Sequence, residues 1–303
     1  MSRWKGKTKG GVAGYKVFIF LIKNFGIKSA YLLLNFVAFY FFLFAKTEKA
    51  PIYWYFRNIH KYKKFKAKLS VFKNFHLLGQ SIIDKVAILS GNKQLFTFNF
   101  DGEEYLRQIA KEGKGGILIG AHTGNWEIAG QLLERIDTKI HIVMLEAEHE
   151  KIKHLLDNVL INRDMNIIPI SNDFSHMFKI AEVLSNNEII VVHGDRFMPG
   201  SKSINLKFLN YNANFPTGIF YLAVKQQKPV VFVSALKETS THYHFFATKP
   251  KIYAIDANIK NRNSLVAEIA TDYIKNIETI IKKYPLQWFN YYYFWDTKTA
   301  EKI

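Results

Sequence analysis

The segment AHTGNWE, residues 121–127, holds a histidine and a glutamate with four residues between them. Imidazole exchanges a proton near neutral pH. A carboxylate bonded to one ring nitrogen fixes the tautomer and raises the basicity of the other, so the pair suits general acid–base chemistry. On an unbroken helix, residues five apart lie about 140° apart around the axis and would not meet. A turn at Thr123–Gly124 removes that obstacle. Gly124 accepts an unusual backbone angle, and Asn125 caps the helix that follows. Glu127 then falls in the first helical turn, where negative charge is favoured, and reaches back to His122. The same residues also fit a capped helix with an incidental histidine.

A second candidate group is His193, Gly194, Asp195 and Arg196, which follows the apolar run EIIVV. Arg196 suits a phosphate or an oxyanion, and Asp195 can hold the guanidinium. A strand-end salt bridge is the alternative. In NFPTG (214–218), Pro216 suits a first helical turn, and Thr217 offers a hydroxyl or amide to a ligand. The chain has no GxSxG elbow, no GxxxxGK[ST] loop and no HExxH. It also has no cysteine, which excludes disulfides, thiolate metal sites and a Cys nucleophile. The remaining histidines are scattered, so no metal is assigned.

The elements that must position these residues begin near residue 115. GGILIGA (115–121), KIHIVML (139–145), NIIPI (166–170), EIIVVHG (188–194), PVVFVSAL (229–236) and YHFFAT (243–248) read as strands. Helical spacing marks 125–136, 149–163, 174–186, 216–227 and 262–283, with a long polar loop before 216. This alternation predicts an α/β fold with a mostly parallel central sheet flanked by helices. Ligand sites in such sheets lie at the carboxyl ends of strands, where His122 and Asp195 both fall.

The amino-terminal part differs. Residues 29–45 are an uncharged run of 17, at the lower limit for crossing a bilayer. Lysines flank it on both sides, so a single span has no clear orientation. A tilted, re-entrant or interfacial anchor keeps both flanks on one side, and a buried core helix is the alternative. RNIHKYKKFKAKLSVFKNF (57–75) interleaves lysine with aromatics, as anionic lipid headgroups favour. The formal charge is +17, which calls for an anionic partner unless codon bias supplies part of it. No nucleic-acid signature accompanies the charge, so nucleic acid is not expected. The composition shifts near residue 75.

Together these segments resemble the lipid A biosynthesis acyltransferase family, the lauroyl/myristoyl type, within the lysophospholipid acyltransferase superfamily. AHTGNWE matches its His-x4-acid signature. VVHGDR matches its Asp-containing turn, Phe215–Gly218 its Phe-Pro-Thr-Gly segment, and Pro285, Gln287 and Trp288 its Pro-x-Gln-aromatic segment. The likeness runs from about residue 1 to 296. It implies an N-terminal hydrophobic anchor with a basic amphipathic segment (1–75) and a glycerolipid acyltransferase-like α/β domain (76–303).

The implied reaction moves an acyl group directly from an acyl carrier protein thioester, or acyl-CoA, to a lipid or glycolipid hydroxyl, with no cofactor. It implies a bacterial inner-membrane protein with its site facing the cytoplasm and an anionic membrane surface as partner. His122 and Glu127 would be catalytic. Asn125, Arg163, Gly194, Asp195, Arg196, Phe215, Pro216, Thr217 and Gly218 would bind substrate, with Arg163 nearest to an oxyanion arginine of relatives. After the KIHIVML strand, Glu146–Ala147–Glu148 stand where relatives often carry Arg-Pro, which leaves the acceptor open. A lysophosphatidate-type glycerolipid acyltransferase and a non-catalytic membrane-surface protein are the alternatives.

Overall fold

The computed structural model describes residues 12–126, 128, 136, 138–145, 166–170, 175–196, 200–254 and 261–296. Its centre is a seven-stranded sheet. In chain order the strands are β1 (Thr97–Asp101), β2 (Gly116–Gly120), β3 (Ile140–Leu145), β4 (Asn166–Ile170), β5 (Ile189–His193), β8 (Val230–Lys237) and β9 (His242–Ala247). Their spatial order is β1-β9-β8-β2-β5-β3-β4. Every neighbouring pair is parallel except β8 with β9. All five residues of β2 are buried, as a strand covered on both faces requires.

The expected strands are present, with ends shifted by a residue or two. The expected helix at 149–163, and most of that at 125–136, lie outside the described residues. The polar loop before 216 is instead a separate hairpin, β6 (Ser203–Phe208) with β7 (Tyr211–Pro216). Its two-residue turn, Leu209–Asn210, has positive φ at both positions. That geometry belongs to a tight hairpin, but Leu in place of the usual Asn or Gly hides it from the sequence.

The helix Arg262–Lys283 has the predicted bounds. Leu265, Val266, Ile269, Tyr273, Ile277 and Ile281 form its buried stripe. Tyr273 donates to the Gly120 carbonyl over 2.7 Å and so braces the end of β2.

Helices α1 (Val12–Phe25), α2 (Ile27–Phe44), α3 (Lys46–Trp54) and α4 (Lys64–Leu89) precede the sheet. Residue 75, where the composition shifts, falls inside α4. This helix is amphipathic: Ala67, Val71 and Phe75 are buried, while Lys64, Lys66, Lys68 and Lys73 are exposed. Ile27, Ala30, Leu34 and Ala38 put one face of α2 against the protein. The approach to α4 is close at Gly79, where an added Cβ would lie 2.3 Å from a Leu34 methyl. On the other side of α2, Leu32, Phe36, Phe39, Tyr40, Leu43 and Phe44 are exposed. By length and composition, α2 is the one helix among the described residues able to cross a membrane.

A buried polar cluster ties these helices to the sheet. Lys237 of β8 meets the Asp84 carboxylate of α4, and their side chains are 2 % and 0 % exposed. Tyr31 of α2 and Tyr243 of β9 both donate to Asp84. Burial pushes the Asp84 carboxyl up and the Lys237 ammonium down, and their mutual contact opposes both shifts. Removing one partner strands the other charge. Asp84→Ala is therefore expected to cost about 3–5 kcal/mol. Thermal unfolding of the detergent-solubilised protein measures the loss, and Asp84→Ala/Lys237→Met should recover much of it.

Candidate active site

β2 and β5 are parallel neighbours, with Gly120 opposite His193. Two residues beyond that register pair, on equal steps, come His122 and Asp195. The sheet therefore sets these two side chains together at the carboxyl ends of its central strands. His122 Nδ1 lies 2.8 Å from Asp195 Oδ1, and the His122 amide donates to Oδ2 over 3.0 Å. The expected carboxylate partner was Glu127. Its side chain lies outside the described residues, and the carboxylate bonded to Nδ1 is that of Asp195.

Asp195 is fully buried. Burial alone would raise its pKa. The charge and hydrogen bond of His122, with His193 and Arg196 nearby, outweigh that and hold it well below the ordinary carboxylate range. Asp195 therefore stays ionised at neutral pH. Asn290 donates to its Oδ2 over 2.9 Å. Arg196 donates from Nε to Asn290 Oδ1 and from a terminal nitrogen to the Phe289 carbonyl, both at 2.8 Å.

The loop carrying His122 is fixed by main-chain bonds. Phe289 N donates to the His122 carbonyl, Gly124 N to the Gln287 carbonyl, and Asn125 N to the Ala235 carbonyl. Gly124 has φ +62°, and an added Cβ would lie 1.9 Å from the Ala235 oxygen. Only glycine fits there. Asn125 Nδ2 donates to the Ser81 carbonyl, so this residue is a buried brace between the loop and α4. Gln287 bonds both main-chain groups of Lys237, and Asn74 of α4 donates to the Leu286 and Trp288 carbonyls. The Pro-x-Gln-Trp segment thus clamps the histidine loop from behind.

His193, the last residue of β5, stands against His122. Its Nδ1 is 3.3 Å from His122 Nε2, and the ring centroids are 4.2 Å apart. Trp126 also packs edge-on against His193, centroid to centroid 4.7 Å. Burial, then the charge of His122, pushes the His193 pKa well below the ordinary imidazole value; Asp195 opposes this, and Arg196 adds to it more weakly. The sequence identified His193 as a strand-end residue and gave it no role. The available signal was alternation along β5, which sends Val191 and His193 to the same face.

That face carries an apolar trench. Phe100 of β1, Phe245 of β9, Val233 of β8, Leu118 of β2, Val191 and His193 of β5, and Ile142 of β3 all line it. It crosses six adjacent strands. From β5 to β1 the path covers four strand spacings, roughly 19 Å at ~4.8 Å each. Asp101 and Glu103 line the β1 end.

Several expected site residues are elsewhere. Phe215 is buried in the core against Tyr273, Pro216 ends β7, and Thr217 donates to the Lys202 carbonyl just before the helix Gly218–Gln226. Gly194 is pressed on Tyr273, where an added Cβ would come within 2.9 Å of the ring. Arg163 lies outside the described residues. His122, His193 and Asp195 have ligand atoms within 4.8 Å of one another, a distance that suits a cation. Hydrogen bonds to both Asp195 oxygens already account for that carboxylate.

The sequence profile of bacterial lipid A biosynthesis acyltransferases matches residues 11–295. Among solved structures, the crystal structure of the 1-acyl-sn-glycerophosphate (LPA) acyltransferase, PlsC, from Thermotoga maritima is similar. It has 15 % identity over 82 % of this chain and 97 % of that one, with a TM-score of 0.36. No curated protein matches significantly.

Proposed function

The chain belongs to the bacterial lipid A biosynthesis acyltransferase family, and from that membership we propose direct acyl transfer with His122 as general base. The donor in this reading is an acyl carrier protein or acyl-CoA thioester. The acceptor is a hydroxyl of a lipid or glycolipid in the cytoplasmic leaflet of the inner membrane. The observation that carries the reading is the bond from His122 Nδ1 to the buried Asp195 carboxylate. It puts the proton of neutral His122 on Nδ1 and leaves Nε2 as the base. As the acceptor oxygen attacks the thioester carbonyl, its proton passes to the imidazole. The resulting imidazolium sits against Asp195, and the thiolate leaves with a proton from it. No acyl-enzyme is needed, in keeping with the absence of cysteine and of a GxSxG elbow.

The trench supports the same reading. Its open space of about 70 Å³ with a largely apolar lining suits part of an acyl chain, with the carbonyl near His193. Arg163 is assigned to the oxyanion and Arg196 to phosphate. Glu127 supplies further negative charge to the imidazolium. The exposed apolar face of α2 enters the lipid, and the lysines of α4 meet anionic headgroups.

Mass spectrometry of lipids from cells with and without the protein tests this function. The expected result is one lipid class short of one acyl chain when the protein is missing. An unchanged lipid profile contradicts it.

A further inference from the structure

We propose that His193, not His122, touches the acceptor hydroxyl, and that the proton travels through both rings to the Asp195–His122 pair. This deepens the acyl-transfer reading and rests on it. Two observations carry it. First, His122 Nε2, the nitrogen left for base work, is already occupied: His193 Nδ1 lies 3.3 Å away. With His122 neutral and its proton on Nδ1 toward Asp195, that contact requires His193 to donate from Nδ1. The lone pair of His193 is then on Nε2. Second, Nε2 is buried and has no hydrogen-bond partner among the described residues. A buried polar atom left unpaired costs free energy, which a substrate hydroxyl would offset by donating to it. His193 lines the acyl trench, whereas His122 is not among its lining residues.

The surroundings suit this role. Burial keeps His193 neutral, as a base must be before it acts. Trp126 packs edge-on against the ring.

The acceptor O–H proton goes to His193 Nε2, and the His193 Nδ1 proton goes to His122 Nε2. His193 ends neutral, and His122 becomes an imidazolium held by Asp195. The acceptor oxygen forms the ester bond to the thioester carbonyl carbon, and the carbon–sulfur bond breaks. The thiolate recovers one proton by the reverse path, which restores both tautomers.

The test uses membranes containing the full-length protein, host lipids as acceptor, and radiolabelled palmitoyl-CoA and palmitoyl-acyl carrier protein as donor probes. His193→Gln keeps a neutral polar side chain but cannot relay a proton. Its kcat should fall by about 100-fold or more, the lower range for a proton-transfer residue, with donor KM unchanged. In His193→Ala, added imidazole should restore part of the rate. Rate against deuterium fraction should bow in the wild type, reporting two protons in flight. A wild-type kcat in His193→Gln, with His122→Ala inactive, would overturn the relay and leave His122 as the direct base. A loss in His193→Ala that imidazole does not reverse, in protein with an unchanged melting temperature, would also overturn it. Failure of the acyl-transfer reading itself looks different: wild-type membranes would move no label from either donor.

Discussion

Asp195→Asn is expected to slow acyl transfer by about 10³–10⁴-fold while leaving the fold in place, the scale seen when the orienting carboxylate of a Ser-His-Asp triad becomes an amide. The side chains have nearly the same shape, so the change acts on protons. Asp195 accepts from His122 at two points, the amide and Nδ1. An asparagine oxygen can still accept from the His122 amide and from Asn290. Its NH2 group then faces Nδ1 and favours the tautomer with the proton on Nε2. The base is lost although the ring has not moved. The carboxylate also no longer stabilises the imidazolium. Initial rates of label transfer, with melting temperature as a control for folding, check this. A rate within a few-fold of the wild type would remove Asp195 from the mechanism.

His122→Ala is expected to lower transfer by about 10²–10⁴-fold, the contribution of a general base. The variant keeps the main-chain amide that donates to Asp195, and Asn290 remains as the second donor. Asp195 therefore stays partly satisfied and the strand ends should hold. Groups acting as one unit give non-additive losses. The double variant His122→Ala/Asp195→Asn should accordingly be about as slow as His122→Ala alone. Multiplied losses would mean that the two residues act independently.

These residues show how far the sequence could be read. The strands β2, β5 and β8 are legible because strands inside the sheet, covered on both faces, read as short, mainly apolar runs. The helix Arg262–Lys283 is legible because its stripe is long and regular. The hairpin β6–β7 was hidden by a Leu–Asn turn, since only the fold reveals their positive φ. The exposed lysines of α4 were readable as a basic stretch interleaved with aromatics, but not the helix's continuation to Leu89 across the composition shift at residue 75.

The site was legible in residue type and less so in pairing. Both histidine and aspartate stood out at strand ends. Local spacing suggested Glu127 for the histidine and Arg196 for the aspartate. The contact between His122 and Asp195 spans 73 positions and follows from the register of β2 with β5. The Asn290 bond spans 95 positions and depends on the clamp of the C-terminal segment. Neither follows from periodicity. His193 was visible at a strand end but without a role, because its contact with His122 spans 71 positions and follows from the sheet register.

The most direct test of the account is label transfer from radiolabelled palmitoyl-acyl carrier protein to host lipids, in membranes matched for wild-type and His122→Ala protein. One labelled lipid class is expected with the wild type, and at least about a 100-fold lower rate with the variant. Equal labelling by the two would contradict it.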